Sequence, residues 1–74
     1  MTKQELKTLV QEYLDEDLEE VDWAESLLDL GMDSIRMMAI VDDIRVTGIN
    51  VNFMEFAEKP SLEGWYNAIT LHTN

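Results

Sequence analysis

Seventy-four residues carrying 5 basic against 16 acidic side chains, a formal net charge of −11 and no cysteine, describe one small acidic domain spanning residues 1–74. A chain of this size buries only about 60% of its unfolded surface, enough for a small bundle and too little for a deep enzyme cleft with its own lid. The charge argues against nucleic acid and anionic membranes, which call for basic side chains, and disulfides and thiolate metal sites are excluded outright.

In chain order, Thr2 and Glu5 have the spacing of a capping box, and Leu6, Leu9, Val10, Tyr13 and Leu14 recur at helical spacing. Together they predict a first helix over residues 3–14. Residues 15–22 form an acidic connection with Leu18 and Val21 placed to turn inward. Residues 23–30 hold a short helical turn with Leu27, Leu28 and Leu30 as anchors. A connection this long in so small a domain points to a functional loop.

Gly31 marks a turn, and Asp33 and Ser34, both good caps, open a second helix over residues 34–47, ended by Gly48. On a helical wheel Met37, Ile40, Val41 and Ile44 share one arc and form the core face. Ser34, Ile35, Met38, Asp42 and Arg45 fall on a neighbouring flank, so Ile35 and Met38 place apolar surface beside the serine and outside the core stripe. Apolar residues next to a functional group mark a partner site. Residues 46–51 have the composition of a strand but no second strand to pair with.

Asn52, with Glu55 reciprocal to it, caps a short helix over residues 53–58, and Lys59-Pro60 stops it. Ser61 opens a last helix carrying Leu62, Trp65, Tyr66 and Ile69. Trp65 is assigned to the core and Tyr66 to a half-exposed position. Gly64 inside this helix costs about 1 kcal/mol relative to alanine, and residues 71–74 are expected to fray. The fold class is all-α: a four-helix bundle of three main helices and a short third one.

The chemistry centres on Ser34. A serine hydroxyl becomes a nucleophile only with a base beside it, and the one histidine, His72, lies in the C-terminal tail while Lys59 lies beyond the third helix. A base for Ser34 therefore comes from another protein, or Ser34 is no more than a cap on an acidic interaction module. A hydrolase fails for want of base and cleft. A calcium loop beginning at Asp15 fails because Glu20 and Ser26 stand where it needs glycine and glutamate, so no metal site is expected.

The run Leu28-Asp29-Leu30-Gly31-Met32-Asp33-Ser34-Ile35 resembles the attachment motif of phosphopantetheine carrier proteins, and the resemblance extends over essentially the whole chain. The run from Asp33 to Met38, with Asn52-Phe53-Met54, Ala57 and residues 59–65, is most similar to the aryl carrier proteins of siderophore-type nonribosomal synthesis. The resemblance implies a non-enzymatic shuttle of the acyl carrier type. Ser34 would receive 4'-phosphopantetheine from coenzyme A by a separate transferase, with Asp33 as motif cap and transferase contact. The arm's thiol would carry an aryl or acyl group as a thioester between an adenylation enzyme and a condensation domain, and a carrier for fatty acid or polyketide synthesis is the alternative. Ile35, Met38, Phe53 and Ala57 match the family's partner-contact positions. Ile35 departs from the commoner leucine, and Asp33 from the histidine frequent in peptidyl carriers. The N-terminus lacks the apolar core of a secretory signal and no apolar run is long enough to span a bilayer, so a monomer in the cytoplasm is expected.

Overall fold

In a computed structural model describing residues 1–73, the chain forms four helices: α1 (Lys3–Gln11), α2 (Ser34–Val46), α3 (Phe53–Glu58) and α4 (Leu62–His72). Two 3-10 turns, Leu18–Glu20 and Leu27–Leu30, interrupt the long connection between α1 and α2. The architecture is the all-α bundle expected of the sequence. Among the described residues there is no strand, and Val46 closes α2 facing solvent while Val51 is buried in the connection to α3.

The capping box of α1 forms as its spacing requires. The Glu5 amide donates to the Thr2 hydroxyl at 3.1 Å, and the Thr2 amide donates to the Glu5 carboxylate at 2.8 Å. The Thr2 amide first, and the Thr2 hydroxyl beside it, hold the Glu5 carboxyl below its ordinary range. The helix ends at Gln11, earlier than the expected residue 14. The reason is the Gln11 side chain, which donates to the carbonyls of Leu14 and Glu16 at 3.1 and 2.7 Å and accepts the Leu18 amide at 2.9 Å. One amide thus satisfies three backbone groups of the departing chain and turns it away from the helix axis. Leu14 stays buried, and so does Leu18.

The rest of the connection is tied down backbone to backbone. The Glu63 amide donates to the Trp23 carbonyl at 3.0 Å and the Leu27 amide to the Pro60 carbonyl at 2.7 Å. Trp23 meets Tyr66 edge-on at 6.3 Å between ring centres, and the ammonium groups of Lys3 and Lys7 lie 5.8 and 5.6 Å from the Trp23 ring centre. Leu27 is buried, but Leu28 is not the anchor expected of it: its side chain is 52% exposed. In a 3-10 turn residues eclipse every third position, so Leu27 and Leu30 share the inner side and Leu28 faces out.

Trp65 is fully buried, stacks on Phe56 at 4.7 Å and donates its indole N–H to the Phe56 carbonyl at 3.0 Å. This ties α4 to α3. Gly64 is required by a close approach: a Cβ there would lie 2.6 Å from the Lys59 Cβ and 2.7 Å from the Lys59 carbonyl oxygen. The α4 helix does not fray at Leu71 but runs through His72, whose Nε2 lies 2.9 Å from both carboxylate oxygens of Glu55. Asn74, also expected to fray, lies outside the described residues. Among those residues no helix is long and apolar enough to cross a membrane.

Candidate functional site

Three residues, Gly31 to Asp33, join the Leu27–Leu30 turn to α2. Gly31 caps the Leu27–Leu30 turn at φ 97°, a left-handed conformation that suits glycine. Met32 follows, buried, with its amide donating to the Leu27 carbonyl at 3.1 Å. Asp33 is extended, and its side chain accepts the Arg36 amide at 2.8 Å as the helix N-cap. Ser34 is therefore the first helical residue, and it is exposed.

Helical geometry then sorts the side chains of α2. Met37, Ile40, Val41 and Ile44 are all buried, the arc read from the wheel. Ile35 and Met38 stand 76% and 50% exposed on the side of the helix that carries Ser34. The α3 helix packs against α2 and brings Phe53, half-buried, and Ala57, exposed. Leu28 and Met54 add exposed apolar surface that the sequence reading did not assign to the site. The signal for Leu28 was the three-residue repeat of a 3-10 turn, and for Met54 its place on the short capped helix beside Phe53.

Among the described residues no base reaches Ser34. His72 is engaged with Glu55, Lys59 follows the far end of α3, and the Asp33 carboxylate is committed to the Arg36 amide and guanidinium, the latter 3.5 Å away. Among the described residues no group of three or more His, Cys, Asp or Glu is arranged to hold a metal. A hollow of about 190 Å³ beside the turn is lined by Tyr13, Leu14, Asp15, Glu16, Leu30, Gly31 and Arg36. On that side the Tyr13 hydroxyl donates to Asp43 at 2.6 Å, a bond that pushes the phenol above its ordinary range.

What the arrangement offers chemically is an open hydroxyl at the positive end of a helix. The Asp33 carbonyl accepts the Met37 amide at 2.9 Å and its carboxylate takes the Arg36 amide, so the Ser34 and Ile35 amides are the first-turn donors left to face an anion. A phosphodiester on the Ser34 oxygen fits this geometry: it needs no displacement of core, and the helix end favours its charge by about 0.3–1 kcal/mol when exposed.

Comparison with known proteins gives the same direction. Residues 4–69 match the phosphopantetheine attachment site family. The chain is similar to an isochorismatase of Bacillus subtilis, 38% identical over 69 residues that make up 93% of this chain and 22% of that protein. It is 39% identical to the pseudomonine synthase PmsE of Pseudomonas entomophila over 69% of this chain and 8% of the synthase. To the acyl carrier protein ScoB of Streptomyces coeruleorubidus it is 36% identical over 80% of this chain and 69% of that one. The chain thus spans under a quarter of the isochorismatase and under a tenth of the synthase. No solved structure matches it.

Proposed function

The chain belongs to the phosphopantetheine attachment site family, and from that premise we propose that Ser34 bears the prosthetic arm and that residues 1–74 act as one carrier domain. Members of this family hold 4'-phosphopantetheine covalently, and its carrier domains are non-catalytic acyl carriers. The chain is a carrier related to those of nonribosomal synthesis. The observation that carries the assignment is the exposure of Ser34 on the first turn of α2, beside Ile35 and Met38 and out of reach of any base among the described residues.

Attachment joins the Ser34 oxygen to the phosphorus that bears the pantetheine group in coenzyme A. The bond from that phosphorus to the bridging oxygen breaks, adenosine 3',5'-bisphosphate leaves, and the hydroxyl proton passes to a base of the transferase. Asp33 caps the helix and offers the transferase an acidic contact. Once attached, the arm supplies the thiol that this cysteine-free chain lacks, and the cargo rides on it as a thioester.

The cargo is an aryl acid, received from an adenylation enzyme and handed to a condensation or other acyl-accepting domain. The names of the relatives, among them an enterobactin synthase component and a phenyloxazoline synthase, support this cargo. Ile35, Met38, Phe53 and Ala57 form the contact surface, and the carrier works as a cytoplasmic monomer. The similarity to an acyl carrier protein favours a second reading in which the cargo is a fatty or polyketide acyl group.

The test is incubation with coenzyme A, magnesium and a promiscuous phosphopantetheinyl transferase, followed by intact mass measurement. One phosphopantetheine is expected on the wild type and none on Ser34→Ala. No gain in the wild type, or an equal gain in the variant, removes the assignment. Loading the modified chain with salicylate or with a malonyl group then separates the two cargo classes.

A further inference from the structure

We propose that Arg36 is a positioning residue for the modification of Ser34, an inference that rests on the attachment reading above. Its guanidinium reaches back past the serine and donates from Nη1 to the Gly31 carbonyl at 2.7 Å. The same nitrogen lies 3.5 Å from Asp33 Oδ2, while the Arg36 amide binds Asp33 Oδ1 at 2.8 Å. One residue two places beyond Ser34 thus grips the chain at both ends of the Gly31–Asp33 turn that precedes it. Among the described residues it is the one basic side chain that reaches this turn. Lys3 and Lys7 lie over Trp23, Arg45 is in the last turn of α2, and Lys59 follows α3.

The grip matters at the ends of the turn, because the burial that restrains it acts at its middle residue. Gly31 is the residue with the widest choice of backbone conformations, and its carbonyl sits in an exposed residue where water competes for it. The buried Met32 fixes the middle of the turn, and Arg36 fixes its two ends. A planar guanidinium holds a carbonyl and a carboxylate at once, which a lysine ammonium, a point charge on a flexible stem, does not. Both partners of the ion pair are about half exposed, 48% and 54%, and exposed pairs contribute little to global stability. The effect of Arg36 is therefore local: it raises the fraction of molecules in which Ser34 already stands as the transferase needs it. Apparent affinity falls in proportion to the competent fraction.

The experiment compares the full chain with Arg36→Met, Arg36→Lys and Arg45→Met, the last removing the same charge from the same helix. Two quantities are read: kcat/KM for transfer of phosphopantetheine to the chain, and hydrogen exchange in the unmodified protein at the amides of Met32 and of residue 36, which bond to the Leu27 carbonyl and the Asp33 carboxylate. Arg36→Met is expected to lower kcat/KM and to speed exchange by a matching factor, each about threefold, with a thermal midpoint within about 5 °C of the wild type. Arg36→Lys is expected to lose about twofold, keeping one contact of the two, and Arg45→Met to match the wild type in both. Unchanged transfer in Arg36→Met overturns the proposal. So does slower transfer with unchanged exchange, since Arg36 then touches the transferase instead. If Arg36→Met does not fold, Arg36→Lys decides, and wild-type values for it overturn the proposal. Should the wild type take up no phosphopantetheine, the attachment reading falls, and the inference about modification falls with it.

Discussion

The connection from α1 to α2 and the helix α3 are the two parts of the chain least able to order themselves, and they divide the work between burial and backbone bonds differently. The connection has no helix longer than 4 residues; Leu14, Leu18, Leu27 and Met32 pin it to the core, and the chain between them is ordered by polar bonds to its backbone: three from the Gln11 side chain, one from the Glu63 amide to the Trp23 carbonyl, one from the Leu27 amide to the Pro60 carbonyl. α3, at 6 residues, is too short to persist alone. It has both bonds of an Asn52–Glu55 capping box, but its place in the molecule comes from Phe56 stacked on Trp65 and from the His72–Glu55 contact. Irregular chain is fixed at many points along its backbone, whereas the short helix, capped by Asn52 and bonded by the Trp65 indole at its Phe56 carbonyl, is located by the one large side chain it buries.

Four substitutions separate these two modes. Trp65→Ala removes the stack and the indole bond together and is expected to cost about 3–5 kcal/mol. Chemical denaturation reads the loss, and α3 amides should lose protection before those of the connection; the reverse order would show that α3 is not held by burial. Gly64→Ala pushes a methyl group against the Lys59 carbonyl and is expected to cost about 1–3 kcal/mol as overpacking. A neutral or stabilising result in the same measurement would show that the α3–α4 turn yields freely. Gln11→Ala leaves three backbone groups to water and is expected to cost about 1–2 kcal/mol. Its signature is faster exchange at the Leu18 amide with α3 untouched. The smallest effect is alkaline. The Tyr13 phenol donates to Asp43 and titrates above its ordinary range. Its contribution is complete below the unfolded-state value of about 10 and is lost as pH rises through the higher folded value. Tyr13→Phe should flatten the fall in urea midpoint as pH rises above about 10, and an unchanged slope would assign that fall to other groups.

Much of this was legible in the sequence because caps are local. Thr2 with Glu5, Asp33, Asn52 with Glu55, and Ser61 placed the starts of four helices, and the structure has each at that position. The wheel of α2 separated Met37, Ile40, Val41 and Ile44 from Ile35 and Met38 because a solitary α-helix has a fixed period. What the sequence did not disclose depends on contacts across it. Gln11 ends α1 by reaching residues not yet in its helix, and His72 extends α4 by finding Glu55 on another one. Gly64 read as a weakness, yet its missing side chain is the space Lys59 occupies. Leu28 was misplaced because a four-residue 3-10 turn and an α-helical turn share the same composition and differ in which leucine faces inward. Arg36 stands in the motif run with no role of its own visible in the sequence, and its bond to Gly31 needed the turn to be seen.

Met32 lies one residue before Asp33 and two before Ser34, and it is 4% exposed. With that thioether lodged in the interior, the loop tip cannot swing outward unless the interior opens as well. An incoming macromolecule therefore finds a stiff target and loses little configurational freedom in meeting it. Brief encounters, made and broken many times, suit such a surface better than a single embrace that moulds both sides.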